Sequence, residues 1–274
     1  MSEENLINRT TKPVTAEALF DQLKSLGIQS GDTLLVHSSL SSLGWVNGGP
    51  VAVIQALLQA VGEEGTIVMP AQSASITNPE NWQAPAVPKD WVDTIRYTMP
   101  AYDPRITPTR DMGQIAELFR TWPGAVRSDH PFSSFAALGP LSEQIISHHP
   151  LHDPLGMSSP LGKLYQLPAK VLLIGVDFDK CTALHLAEQI VWPGRRKTME
   201  GAPLMVHGKK QWVSFQVPQV MDSAVFLPVG AAVLASGMAA SGTLGEGKGV
   251  LVGLRQLVDT AVKEWSGMKD PVES

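Results

Sequence analysis

Two short apolar runs, TLLVH (33–37) and GTIVMP (65–70), are joined by a polar loop, SSLSSLGWVNGG, and by PVAVIQALLQAVG, which reads as a helix opened by Gly49-Pro50. A connection that carries a whole helix is far longer than a hairpin turn and suits a parallel pair of strands. The segment is therefore predicted to be a βαβ unit, which places the chain in the α/β class. A third run, AKVLLIGV at 169–176, is the most strand-like in the chain and leads into a predicted helix start, TALHLAE at 182–188.

The remaining elements follow from caps and periodicity. TAEALFDQLKSLGI has Thr15 as N-cap and Gly27 as stop, with apolar residues on one face. MGQIAELFRTW is predicted to be a helix ending at Pro123, SFAALG a short buried strand after the turn SDHPFS, and SPLGKLYQL a helix capped by Ser159 with Pro160 in its first turn. PLMVHGKKQWVSFQV reads as a hairpin around Gly208, and GVLVGLRQLVDTAVKEW as a short run followed by a closing amphipathic helix. The stretch from about 71 to 102 is rich in proline and tryptophan (Trp82, Pro85, Pro88, Trp91, Pro100). Irregular stretches of this length inside compact domains usually form lids or binding walls. No repeat or linker divides the sequence, so residues 1–274 are expected to form one domain carrying that insertion.

At 274 residues and 43% hydrophobic content, the chain has enough apolar material for a substantial core. Its formal net charge of -5 argues against nucleic acid and anionic membrane surfaces as partners, and favours small polar or cationic molecules. Cys181 is the sole cysteine, which rules out an intrachain disulfide and a multi-cysteine zinc site. The polar, acidic start MSEENLINRTTKP has no secretory pattern, and no apolar run reaches membrane-spanning length. The expectation is a soluble cytoplasmic protein, monomeric or homodimeric.

His185 and Glu188 lie three residues apart in TALHLAE, on one face of a helix that Asp179 or Thr182 would cap. A carboxylate beside an imidazole fixes its tautomer and stabilises the imidazolium, as a general base requires. The same spacing also suits an ordinary amphipathic helix start. A metal centre would need more ligands than HLAE supplies, and HHPLHD (148–153) reads as a solvated loop, so no metal is expected. Cys181, four residues before His185, would permit an acyl-cysteine route, although a lone cysteine at such a junction is commonly an apolar filler. The loop from His37 to Gly44 offers hydroxyls and backbone N–H groups suited to a phosphate or an amide-rich ligand arm, without a nucleotide fingerprint.

Taken in order, LLVHSSLSSLGWVNGGP, GTIVMP, ITPTRDMGQIAELFR, RSDHPFSSFAALG, SPLGKLYQL and VLLIGVDFDKCTALHLAE resemble the aminoglycoside 3-N-acetyltransferase family over most of the chain. The resemblance implies a family-specific α/β fold, a mixed central sheet flanked by helices and distinct from the GCN5 type. It also implies transfer of acetyl from acetyl-CoA to the 3-amino group of an aminoglycoside. It assigns His185 and Glu188 as the catalytic pair and the loop residues Ser38, Ser39, Leu40, Ser41, Ser42, Leu43 and Gly44, beside His37, to the CoA arm. Thr182, or N–H groups at the helix start, would then stabilise the developing oxyanion. Asp129, Asp177 and Asp179 are candidates to hold the ammonium groups of the acceptor, and Lys163, Arg195 or Arg196 to meet the CoA ribose phosphate. A CoA-dependent acyltransferase acting on another amine, or a non-catalytic CoA-binding protein, would carry the same motifs.

Overall fold

The computed structural model describes residues 2–273. The chain begins with α1 (Glu3–Arg9) and α2 (Ala16–Leu26), then β1 (Thr33–Ser38), α3 (Gly49–Val61) and β2 (Thr66–Pro70). It continues through α4 (Val92–Thr98), α5 (Gly113–Phe119), β3 (Val126–Arg127), β4 (Phe135–Leu138), α6 (Ser142–Ile146) and α7 (Pro160–Gln166). Next come β5 (Ala169–Ile174), α8 (Ala183–Val191), β6 (Lys197–Val206) and β7 (Lys209–Pro218). α9 (Phe226–Ala235), β8 (Ala239–Leu244), β9 (Gly247–Gly253) and α10 (Leu254–Trp265) complete the order.

Seven strands form one mixed sheet in the order β3-β4-β2-β1-β5-β9-β8. β1 lies between β2 and β5 and is parallel to both, so the predicted βαβ unit is its centre. β4 pairs antiparallel with β2, and β9 antiparallel with β5. The three central strands are almost wholly buried, and their side chains alternate between two cores. Leu35, Val68, Val171 and Leu173 join α7 to α10 on one face. Leu34, Val36, Ile67, Met69, Leu172 and Ile174 join α2, α3 and α5 on the other.

The caps predicted for α2 form as read. Thr15 Oγ1 accepts from Ala18 N at 3.2 Å, and Gly27 ends α2 in the left-handed region at φ 107°. β8 was not foreseen: AASGTL consists of small, largely exposed residues, and it becomes a strand by completing the sheet edge against β9. At the hairpin, His207 and Gly208 both take positive φ, as a two-residue turn between twisted strands requires.

The β6–β7 hairpin stands apart from the main sheet and receives the insertion. Ile76, Met99 and Tyr102 pack with Ala202 of β6, flanked by Trp82, Ile95, Leu204 and Trp212. Tyr102 N donates to Pro203 O at 2.9 Å, and the Glu200 carboxylate accepts from Asn78 N at 3.0 Å and Asn81 Nδ2 at 2.7 Å. Insertion and hairpin therefore make one built wall. Among the described residues, no helix is long and apolar enough to cross a membrane.

Candidate active site

Parallel strands end on the same side of a sheet, and ligands in α/β folds gather outside those carboxyl ends. β1 ends at Ser38, β2 at Pro70 and β5 at Ile174, and a cavity of about 570 Å³ opens there. His37, Ser38, Ser39, Leu40 and Ser41 form one side of it, and Thr182 and His185 the other. Met112, Gly113 and Gln114, at the start of α5, close a third side.

The serine-rich loop is held at this edge by its neighbours. Ser39 N donates to Ile174 O at 2.9 Å, and Ser42 Oγ to Ser39 Oγ at 2.9 Å. Gly175 has φ 63° and touches the loop so closely that a Cβ there would collide with Ser42. The Arg9 guanidinium donates to Ser41 O. Of the loop residues predicted to contact CoA, Ser42 and Gly44 do not line the cavity, and Leu43 is an anchor in the core.

Helical spacing brings His185 and Glu188 together: Nδ1 and Oε1 are 2.6 Å apart. Glu188 is fully buried, and its Oε2 accepts from Met221 N at 2.9 Å and from the Arg195 guanidinium. A carboxylate only accepts, so Nδ1 carries a proton in this contact, and in the neutral ring the lone pair is then on Nε2. The edge of the Phe226 ring, 4.9 Å between centroids, supports the imidazole from behind. Thr182 Oγ1 lies 3.3 Å from Nε2 of His37. Burial, and then the nearby His185, push His37 down to about 3, so it is neutral throughout the working pH range.

The structure revises several expectations. Neither Asp179 nor Thr182 caps α8 with its side chain; Asp177 instead caps the short 3-10 turn before it, accepting from Phe178 N at 2.8 Å. The N–H groups of Leu184 and His185 are engaged by the Cys181 and Thr182 carbonyls. Cys181 is buried and its thiol is pushed up to about 12 by that burial, so it supplies no thiolate. Asp179 lines the cavity, paired with Lys180 at 2.8 Å, whereas Asp177 does not line it and Asp129 is exposed outside it. None of Lys163, Arg195 and Arg196 lines the cavity; Lys163 Nζ donates to His148 O and Arg195 is buried behind Glu188. HHPLHD is not simply solvated, because His149 is hydrogen-bonded at both ring nitrogens, to Ser128 Oγ and Pro154 O.

Five polar cavity residues escaped the sequence reading: Gln72, Asp111, Gln114, Lys180 and Ser223. Asp111 holds a left-handed φ of 61°, unusual for a residue with a side chain, and Gly113 follows at φ 82°. The Asp-Met-Gly step before the helix was the available signal, since Asp and Gly tolerate that region best.

A histidine backed by a buried carboxylate, beside a hydroxyl-lined loop at the carboxyl edge of an α/β sheet, is an arrangement able to take a proton from a bound group. Comparison with known proteins makes this specific. The chain belongs to the aminoglycoside 3-N-acetyltransferase family, whose model matches residues 35–266. It is 47% identical over 261 residues, 95% of each chain, to the SPbeta prophage-derived aminoglycoside N(3')-acetyltransferase-like protein YokD of Bacillus subtilis (strain 168). The crystal structure of YokD superposes with a TM-score of 0.93 at 45% identity, covering 97% of this chain and 98% of that one. Aminoglycoside N(3)-acetyltransferase VII of Streptomyces paromomycinus is 35% identical over 278 residues, 96% of this chain and 95% of its own. The binary complex of AAC-IIIb with CoASH superposes with a TM-score of 0.82 at 31% identity, covering 95% of this chain and all of that one.

Proposed function

We propose that this enzyme transfers acetyl from acetyl-CoA to the 3-amino group of aminoglycosides, directly and without an acyl-enzyme. The observation that carries the reading is the 2.6 Å bond from His185 Nδ1 to Glu188, which reserves Nε2 for the cavity. The hydroxyls and backbone of Ser38 to Ser41 suit the amide-rich arm of the donor, and Lys180 is the cation of the cavity lining. Asp111 and Asp179 supply negative charge for the acceptor's ammonium groups. A cytoplasmic setting fits the donor and the reduced Cys181.

An ammonium cannot attack a thioester, so Nε2 of His185 takes a proton as the amine nitrogen bonds to the acetyl carbonyl carbon. The Thr182 hydroxyl donates to the charge that develops on the carbonyl oxygen. The carbon–sulfur bond then breaks, the thiolate leaves, and His185 returns its proton to sulfur or water. Glu188 accepts the Nδ1–H hydrogen bond and stabilises the imidazolium.

The test is thiol release from acetyl-CoA with a panel of aminoglycosides and simple amines, followed by mapping of the acetylated nitrogen. Acetylation at the 3-amino group is the expected result. Turnover confined to other amines would overturn the acceptor assignment, and a covalently acetylated protein would overturn direct transfer.

A further inference from the structure

The histidine–glutamate pair is the visible end of a buried ionic chain. Arg195 donates through Nη1 to Glu188, and through Nε and Nη2 to the two oxygens of Asp270 at 2.9 and 2.7 Å. The Arg195 and Asp270 side chains are 1% and 6% exposed, and Glu188 is fully buried. Burial works against the guanidinium charge, but the Asp270 and Glu188 carboxylates more than offset it and raise its pKa. Burial likewise disfavours the Asp270 carboxylate, yet Arg195 and the Val272 N–H hold it below its usual range.

Asp270 comes from the segment after α10, 75 residues beyond Arg195, and is set in place by rings. The Arg195 guanidinium lies 5.1 Å over Trp192, which stacks on Trp265 at 6.0 Å. Trp265 stacks on Phe226 at 5.9 Å, and Phe226 meets His185. Trp192 Nε1 donates to Met268 O at 3.2 Å, pinning the same segment. The circuit thus closes on the imidazole it began from.

An isolated carboxylate at this depth would be costly, and one held by a lone arginine would surrender much of its field to that arginine. Asp270 balances the arginine on its far side. Glu188, Arg195 and Asp270 together carry a net charge of minus one, which a proton on His185 neutralises. We propose that Arg195 and Asp270 are positioning residues for acetyl transfer: together they aim an ionised Glu188 at His185 and set how readily His185 takes the acceptor's proton. This rests on His185 being the base of the proposed reaction.

Opposite charge changes on the chain then act in opposite directions. Asp270→Asn removes a negative charge, leaves Glu188 as the carboxylate partner of Arg195 and makes the imidazolium less favourable. The acid limb of kcat/KM should move to lower pH by about half to one unit, with KM for acetyl-CoA nearly unchanged. Arg195→Gln removes the positive charge and should move the limb upward by a similar amount, while Arg195→Lys, which keeps the charge and loses the fork, should leave the limb in place and lower kcat. The other charged or titratable groups that line the cavity with His185, namely His37 from β1, Asp111 before α5, and Asp179 and Lys180 before α8, are the same in all variants, as is Asp222 next to Met221.

The experiment is the pH profile of kcat/KM for the four proteins, paired with NMR titration of the His185 ring proton, identified by its loss in His185→Ala. Opposite displacements in Asp270→Asn and Arg195→Gln are the expected result. Unmoved limbs and titration midpoints, or equal displacement in all variants tracking lost thermal stability, would reduce the chain to a structural brace. Should Arg195→Gln fail to fold, the downward movement in Asp270→Asn against the unmoved Arg195→Lys decides. Opposite NMR displacements without turnover of any aminoglycoside would uphold the ionic chain while removing the acceptor assignment.

Discussion

The chemistry of the site turns on a few side chains whose environments differ sharply over short distances. His37 and His185 line the same cavity, yet His37 is held neutral by burial while His185 has a carboxylate partner. Replacing His185 by Ala is expected to lower kcat by a factor of about 100 to 10,000 while acetyl-CoA affinity, measured by calorimetry, changes little. Retained turnover would remove it as the base. Thr182→Val should cost roughly 100-fold in kcat with KM nearly constant, and Thr182→Ser should keep most activity. Equal losses in both variants would mean that the threonine acts through packing. Cys181→Ala should be nearly silent in kinetics, because a thiol held near 12 is not a nucleophile at neutral pH.

At the scale of elements, the two β6–β7 strands and the insertion form a partnership that the sequence announced only in halves. The hairpin and the proline-rich stretch were both legible, one from Gly208 and the other from composition. Their union depends on Tyr102 meeting Pro203 and on Glu200 meeting Asn78 and Asn81, pairings about a hundred residues apart that leave no local trace. The central βαβ unit was readable because its strands are continuous apolar runs, and α2 because both of its caps are local. β8 was not readable, since its residues carry no hydrophobic pattern and its partner supplies the reason for the strand. Within the site, the His185–Glu188 pairing lies within one helical turn and was visible, whereas Arg195 was misjudged because Asp270 lies 75 residues away. The Trp212 ring packs on Gly201 and under the Arg96 guanidinium, at 5.7 Å. Trp212→Ala is therefore expected to destabilise the protein by about 1–3 kcal/mol in urea unfolding and to raise KM for the acceptor more than for acetyl-CoA. The reverse order of KM effects would place this wall on the donor side.

For the whole molecule, acidity should be the most damaging ordinary condition, because histidines are built into the interior uncharged. Burial, and then His149, lower His130 to about 3; burial chiefly lowers His149 to about 4, and His37 is at about 3. Each folded-state value is below the unfolded one of about 6.5, so the unfolded chain binds more protons between these limits. Stability is then fully present above about pH 6.5 and falls as the pH drops toward 4, by up to about 1.4 kcal/mol per unit for each histidine. Urea midpoints measured from pH 7.5 to 4 should decline with that slope, and His149→Asn should flatten the curve even where it lowers stability at pH 7. A midpoint independent of pH would show that the three rings gain protons without unfolding.

The division between sheet and wall has a consequence for descent. His185 and the serine-rich loop follow β5 and β1, neighbouring strands whose apolar residues are committed to two cores, and mutation of those residues is punished by loss of the fold. The hairpin and insertion are joined to that sheet through loops and carry their own small core, so their surface is free to drift while the reaction persists. A lineage with this layout can remodel one appendage while the sheet that carries the cavity keeps its form.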